Sequence, residues 1–298
     1  MKRLICIFAI LAASIFSAYA GDVVIEKNYH LKDFRGLSIS HTFDVTVEKS
    51  DTYSIHIAVL DEFAPYLDVK VVGGILNLGF KNLPRRLNTA GYIKSAAVAK
   101  VTMPSLERLS LSGASHFEAK DSFNIGSAPF QVSVSGASEL KRVEIYGGDA
   151  VIDVSGASRA NIFGSFIDID MDLSGASRTT LDADGEELTI ETSGTAVADV
   201  EGIFEDAEFE TSGVSNITVK GKASELEVDA SGTSSVDALK MPVETAEVSL
   251  SGASVCKTDV SGMLKAECTG ASTLGYKTHD DLKLDLREIA RSATLKKL

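Results

Sequence analysis

Hydrophobic and polar residues alternate in a pattern that recurs along the second two-thirds of the chain. The pattern is centred on a tetrapeptide close to Ser-Gly-Ala-Ser, as at residues 174–177. The residues four and two positions before each glycine are mostly apolar, with polar residues between them, and the alternation resumes after the tetrapeptide. Alternation with a period of two is typical of a strand that buries one face. Each repeat therefore predicts two short strands joined by a bend.

The glycines of the tetrapeptide give the length of the repeat. They are Gly113, Gly136, Gly156, Gly175, Gly194, Gly213, Gly232, Gly252 and Gly270. Their spacing is 18 to 23 residues and most often 19 or 20, a period typical of solenoids, whose repeats bury apolar surface against their neighbours. We predict an all-β parallel β-helix with about 19–20 residues per turn. Connections between parallel strands are nearly always right-handed, so we also predict a right-handed coil.

A structural role explains why glycine recurs at the bend. Sharp bends often need a positive φ, and a Cβ at a stacked bend would collide with the copies above and below. We therefore expect the glycines to lie in one file, and the small residue after each glycine to point into the corner. The flanking serines are expected to bond backbone groups. Their many equivalent copies, without matching histidines, do not indicate a catalytic nucleophile.

The segments outside the regular repeats predict a signal peptide and two solenoid ends. Lys2 and Arg3 precede an apolar run that ends in a small-x-small cleavage site, so residues 1–20 are predicted to be a secretory signal. Residues 21–104 predict an N-terminal cap with irregular first turns, and 105–275 the regular β-helix. Residues 276–298 predict a C-terminal cap or a degenerate last turn; the sequence allows either a helix or strands there.

Charge and cysteine content narrow the possible partners. The formal net charge is −13, and removing the two signal-peptide cations leaves −15, which disfavours nucleic acid as a partner. No stretch after the signal is long and apolar enough to predict a membrane span. Cys256 and Cys268 remain after cleavage, too few for a disulfide framework. Both occupy inward positions, and the sequence leaves open whether they are separate buried thiols or one bridge.

One column of acidic residues is the candidate binding feature. Three positions before the glycine, an outward position, five consecutive repeats carry Asp153, Asp172, Glu191, Glu210 and Asp229. The column could be a solvated surface, or it could contact calcium, a cationic surface or a basic partner. Calcium prefers a compact cage of six to eight oxygens, so we expect no tight metal site and at most weak calcium binding. No cofactor motif is present.

Several segments together resemble a known family. They are residues 34–40 (FRGLSIS), 43–47 (FDVTV), 67–71 (LDVKV), 74–78 (GILNL) and 101–106 (VTMPSL), the last leading into 111–115 (LSGAS). The chain resembles the head GIN domain family of auto-transporter adhesins from about residue 33 to 275. This resemblance implies a secreted or cell-surface β-solenoid of a Gram-negative bacterium, often of the Bacteroides group. It implies no catalytic or ligand residues.

The sequence is best interpreted as an exported, non-enzymatic β-solenoid that binds a glycan or protein at the cell surface. Its location would be the periplasm or the outer surface, and its oligomeric state is open. The first alternative is a polysaccharide lyase or hydrolase, since parallel β-helices host such enzymes; that is an analogy of fold. The second is a purely structural component of the envelope.

Overall fold

Two strands and the bend between them form each turn of the structure, a computed structural model that describes residues 23–87 and 96–298. Successive turns pair in parallel and build a β-solenoid of about 10 turns. This confirms the predicted all-β solenoid, while its hand stays a prediction. The predicted signal peptide lies outside the described residues. Within the described ranges, no helix has the length and apolarity that crossing a bilayer requires.

The strands fall into two groups along the chain. Those that precede the repeats are β1 Val24–Tyr29, β2 Gly36–Ile39, β3 Phe43–Lys49, β4 Ser54–Leu60, β5 Leu67–Val72, β6 Ile75–Phe80 and β7 Ala97–Met103. Those of the repeats are β8 Arg108–Leu111, β9 His116–Ala119, β10 Phe123–Asn124, β11 Phe130–Val134, β12 Glu139–Tyr146, β13 Ala150–Val154, β14 Arg159–Ser165, β15 Asp168–Leu173, β16 Arg178–Asp184, β17 Glu187–Thr192, β18 Val197–Ile203, β19 Asp206–Thr211, β20 Asn216–Lys222, β21 Glu225–Ala230, β22 Ser235–Leu250, β23 Val255–Cys268, β24 Thr273–Lys277, β25 Lys283–Ile289 and β26 Thr294–Lys297. Short 3-10 helices lie at Ala64–Tyr66 and Arg85–Leu87.

The strands pair in two parallel ladders that enclose the core. The first ladder contains the strands before each tetrapeptide and runs β6–β2–β8–β11–β13–β15–β17–β19–β21–β22–β23–β25. The second ladder contains the strands after it and runs β7–β3–β9–β12–β14–β16–β18–β20–β22–β23–β24–β26. The long strands β22 and β23 belong to both ladders, because each continues through the bend opposite the tetrapeptide.

The N-terminal end has a spatial order that differs from the sequence order. β2 lies between β6 and β8, and β3 lies between β7 and β9. The chain thus forms an inner turn first, then the turn outside it, and returns to extend the stack on the other side. Antiparallel strands cover this end: β5 on β6, β4 on β7 and β1 on β4. Phe34, Phe63 and Phe80 are buried beneath them.

The inward residues of each turn include the second serine of the tetrapeptide. Ser115, Ser215 and Ser254 are fully buried, whereas the residue directly after the glycine is mostly exposed, as Val214 is at 55%. The expectation that this small residue fills the corner was therefore wrong. The physical reason is that the strand alternation resumes immediately after the glycine, so the next inward position is the second serine.

The buried serine hydroxyls close the bend from inside. Ser215 Oγ donates to the carbonyl of Ser212 at 2.6 Å, and Ser254 Oγ donates to the carbonyl of Ser251 at 2.8 Å. The same contact joins Ser115 to Ser112. A serine satisfies a bend carbonyl here while its small side chain fits the narrow interior, which explains why the tetrapeptide ends in serine.

The nine glycines lie in a single file. All have positive φ, from 65° to 76°. A Cβ on any glycine after Gly113 would lie 2.5–2.8 Å from the carbonyl oxygen of the preceding glycine of the file. At Gly113 the nearest atoms belong to His41, whose φ is 69°. His41 thus occupies the bend between β2 and β3, at the end of the file, with its Nδ1 2.9 Å from Ser40 Oγ.

The C-terminal segment forms strands and not the alternative helix. β25 pairs in parallel with β23, and β26 pairs in parallel with β24. Ser292 Oγ donates to the carbonyl of Gly270 at the intervening bend. The segment is therefore an additional turn that lacks the tetrapeptide.

Cys256 and Cys268 are free thiols in the core. Both are fully buried, so the bridge that the sequence left open is not formed in this structure. The pKa of the Cys256 thiol is raised to about 12, mainly by burial and to a smaller extent by the nearby Cys268 and Asp237. Burial also raises the pKa of Cys268. Since the thiolate is the reactive form, both groups act as inert core side chains.

Two buried threonines are expected to respond oppositely to valine substitution. Thr179 Oγ1 has no hydrogen-bond partner among the described residues, whereas Thr211 Oγ1 lies 2.8 Å from Thr192 Oγ1 and 2.7 Å from Ser215 Oγ. Thr179→Val removes an unsatisfied buried polar group and should raise the unfolding free energy by about 1 kcal/mol. Thr211→Val should lower it by about 1 kcal/mol. Urea denaturation of both variants measures the difference, and the reverse order would contradict this account.

Candidate binding surface

The outward side of the first ladder is acidic over five consecutive strands, β13, β15, β17, β19 and β21. Each of these turns presents three outward positions, counted at three, five and seven residues before the tetrapeptide glycine. The parallel register places equivalent positions of neighbouring turns directly beside one another. Aspartate or glutamate occupies all of these positions except two, which are Val151 and Thr189. We call this surface the acidic face.

The acidic face consists of three columns. The column three residues before the glycine contains Asp153, Asp172, Glu191, Glu210 and Asp229. The middle column contains Val151, Asp170, Thr189, Glu208 and Glu227. The third contains Asp149, which directly precedes β13, and then Asp168, Glu187, Asp206 and Glu225. The sequence-predicted acidic residues are thus brought together as one column, at the edge of a wider surface.

The columns are stacked at the spacing of a β-sheet. Neighbouring strands lie about 4.8 Å apart, and two unit charges at that distance repel by about 1 kcal/mol in water before screening. Burial, then the charges of Asp172 and Asp170, raises the pKa of Asp153. Burial is also the main cause that raises the pKa of Glu208. The charges of Glu227, Glu210 and further carboxylates of the face add to this shift. The negative charge of the neighbouring carboxylates thus adds to burial in raising the pKa of these two side chains.

No cation of the described residues forms an ion pair with a carboxylate of the acidic face. The second ladder differs, since its outward side carries charges of both signs. There Arg178 lies 3.2 Å from Asp199, and Lys257 lies 3.3 Å from Asp237. The negative charge of the chain is thus distributed unevenly around the solenoid.

Basic residues mark the C-terminal limit of the acidic face. Glu247, next in the middle column, lies 3.1 Å from Lys265 and 3.1 Å from Arg287. The hydrogen bond from Lys265 is the main reason that the pKa of Glu247 is lowered, although burial acts in the opposite direction. The uncompensated charge therefore stops at β21, one strand before the pairs begin.

The carboxylates of the acidic face form an open grid. In the part of the chain that the structure describes, no three histidine, cysteine or acidic side chains are placed to hold a metal ion together. Single carboxylates at regular intervals suit many separate contacts with a multiply charged partner. Weak calcium binding remains a prediction.

Sequence reasoning identified one of the three columns. The residues of the other two stand at alternate positions before the same glycine, so the signal was present in the aligned repeats. Asp168-Ile169-Asp170-Met171-Asp172 shows all three acidic positions of one strand in a row. The alternation, extended backwards from the glycine by one full strand length, marks all three columns.

Comparison with known families finds one matching family model. The model of the family "Putative auto-transporter adhesin, head GIN domain" matches residues 33–185 and 172–279. No curated protein matches the chain.

Two solved structures of similar fold come from the same bacterial species. A structure described as a putative adhesin from Parabacteroides distasonis has a TM-score of 0.54 and 17% identity, covering 93% of this chain and 98% of its own. A second, described as a putative lipid binding protein from the same species, has a TM-score of 0.51 and 16% identity, covering 94% and 98%. At these identities the similarity shows the shared fold.

Proposed function

Because the chain belongs to the head GIN domain family of auto-transporter adhesins, we propose that it is a non-enzymatic binding protein of the cell envelope. The predicted signal peptide supports export to the periplasm or the outer surface. The acidic face is the proposed contact surface, and a basic surface of another protein is the proposed partner. The observation that carries this proposal is the uniform sign of the charge over five strands, which the second ladder does not share.

The physical basis of binding would be the sum of many weak contacts. A single exposed ion pair contributes little, about 0–1 kcal/mol. A rigid grid that engages several cations at once gains affinity because every contact after the first is intramolecular. Complementary charge also accelerates association and makes it dependent on ionic strength. A stiff solenoid is suited to this mode, since its backbone already holds the carboxylates at regular spacings and needs no ordering on binding.

Two variants of equal charge test whether the acidic face is the contact surface. Asp172→Asn/Glu191→Gln/Glu210→Gln neutralises the centre of the face, and Asp182→Asn/Asp199→Asn/Glu201→Gln removes the same charge from the second ladder. We expect the first variant to bind long polylysine about tenfold more weakly than the parent, a loss of about 1.4 kcal/mol. The second variant should bind nearly as the parent does. Equal losses would show that only net charge matters and would refute the acidic face as a site.

Glycan binding and catalysis are separate outcomes of a second experiment. The parent protein is incubated with mucin and with a glycan array, and both retained protein and released sugar are measured. Retention that the face variant loses fits the proposed function. Glycan retention that the face variant keeps would place the site elsewhere, and release of soluble sugar would contradict the non-enzymatic assignment.

A further inference from the structure

The C-terminal end of the solenoid leaves its inward side uncovered. Leu284, Leu286 and Ile289 continue the columns of Leu264, Ala266 and Cys268. These three residues of β23 are at most 1% exposed, whereas Leu284 is 43%, Leu286 44% and Ile289 37% exposed. The opposite end is closed by antiparallel strands over buried phenylalanines. Among the described residues, the two ends of the stack therefore differ: the N-terminal end covers its core and the C-terminal end exposes it.

The same end also presents a free strand edge. β25 pairs with β23 on one side, and the described residues provide no strand on its other side. An open parallel edge exposes a row of backbone donors and acceptors that can pair with another chain. Charged residues on an edge strand usually discourage such pairing, so the order of charges along β25 decides what the edge can accept.

The sequence at the start of β25 is complementary to itself in the antiparallel direction. Residues 282–286 read Leu-Lys-Leu-Asp-Leu. If two copies pair with Leu284 opposite Leu284, Lys283 of each copy stands opposite Asp285 of the other. Leu282 then stands opposite Leu286. Opposed residues of an antiparallel pair share a face, so apolar contacts form inside and both ion pairs form outside.

We propose that the C-terminal turn is a docking surface for a second copy of this chain, with the two β25 strands paired antiparallel about Leu284. The contact is isologous and closes as a two-fold dimer. It covers the exposed leucines of both copies, and the free edge of each β25 strand forms backbone hydrogen bonds with the other. The register stays within residues 282–286, before the irregularity that follows Leu286.

This dimer would extend the solenoid into one continuous body. A two-fold axis perpendicular to the first ladder turns the second copy end to end and keeps its outward side on the same surface. The acidic faces of both copies would thus point the same way. The inference rests on the end of the stack alone and does not depend on the proposed function.

Charge reversal at the two central positions tests the pairing. In a dimer of the purified protein, Lys283→Asp places aspartate opposite Asp285 at both symmetric contacts. Asp285→Lys likewise places lysine opposite Lys283 at both contacts. Sedimentation equilibrium should show a dimer for the parent and at least a tenfold higher dissociation constant for each variant. An equimolar mixture of the two variants should recover the parent's dimer, because all opposed charges are again complementary. Lys222→Asp, the same charge change far from β25, should leave the dimer intact.

The mixing experiment also separates loss of pairing from loss of folding. A variant that has unfolded cannot be rescued by the other variant, and circular dichroism of each variant checks this independently. A parent protein that stays monomeric over the accessible concentration range would overturn the proposal. So would a dimer that neither reversal weakens, or two variants whose mixture stays monomeric.

Discussion

Gly213→Ala is expected to lower the unfolding free energy by about 2–5 kcal/mol, the sum of two costs. The first is the left-handed backbone, φ 71° at this residue, which costs a residue with a Cβ about 1–2 kcal/mol. The second is a collision: the new Cβ would lie 2.6 Å from the carbonyl oxygen of Gly194. Overpacking of this kind costs about 1–3 kcal/mol. Backbone atoms cannot rotate away as a flexible side chain would, so the ladder must open between two turns.

A matched glycine separates the two costs. Gly126 has a similar φ of 66°, but a Cβ there would have no atom within 4 Å. Gly126→Ala should therefore cost only about 1–2 kcal/mol for its backbone conformation. Solenoids can unfold in parts, so hydrogen exchange of the turns around residue 213 should accompany the melting curves. If the two variants lose the same free energy of unfolding, the collision with the neighbouring glycine carbonyl adds no cost, and the close stacking does not explain why glycine is required.

The regular part of the fold was predictable because one physical rule acts at every turn. Each copy must bury alternate residues against the copies above and below, so the apolar columns appear directly in the aligned repeats. The bend glycine is equally visible, since collision between stacked bends excludes a Cβ at every level. These constraints are local or strictly periodic, and a sequence aligned with itself displays them.

The irregular end was not predictable for the complementary reason. β6 stacks outside β2, although it follows β2 in the chain, because this order lets the antiparallel strands cover the end. The sequence contains no repeat in this segment that would indicate that order. His41 occupies a bend position with a positive φ, but its surroundings lack the tetrapeptide that marks the other bends. Its equivalence to the glycines follows only from its contact with Gly113.

The acidic face was partly predictable from the sequence. Its first column was found because it stands beside the glycine used for alignment. The other columns depend on the strand length before the bend, which the sequence gives less sharply. The direction of the residue after each glycine was misjudged for a related reason. Whether alternation pauses at a bend depends on the bend geometry, and Ala and Ser are both small enough to fit.

Neutralising the acidic face is expected to stabilise the protein near neutral pH. In Asp172→Asn/Glu191→Gln/Glu210→Gln, the repulsion between opposed carboxylates of the first column is removed. At low ionic strength and about pH 7, we expect the melting temperature to exceed that of the parent by about 2–4 °C, the shift that follows from about 1 kcal/mol in a protein of this size. Adding salt should reduce the difference, because screening already relieves the repulsion in the parent.

The pH dependence of this difference follows from the raised pKa of Asp153 and of Glu208. A carboxyl whose pKa is higher in the folded than in the unfolded state takes up its proton first in the folded state. Its contribution to stability is therefore full below the unfolded pKa and is lost as pH rises through the folded pKa. The melting temperature of the parent should thus approach that of the variant as pH falls from about 7 to about 4.

His41 and His56, whose pKa values burial lowers, favour unfolding over part of the same range. Both proteins contain them, so the difference between the two melting temperatures isolates the acidic face. The second-ladder variant Asp182→Asn/Asp199→Asn/Glu201→Gln should show a smaller difference, and a gap between parent and face variant that widens towards low pH would contradict repulsion as its cause.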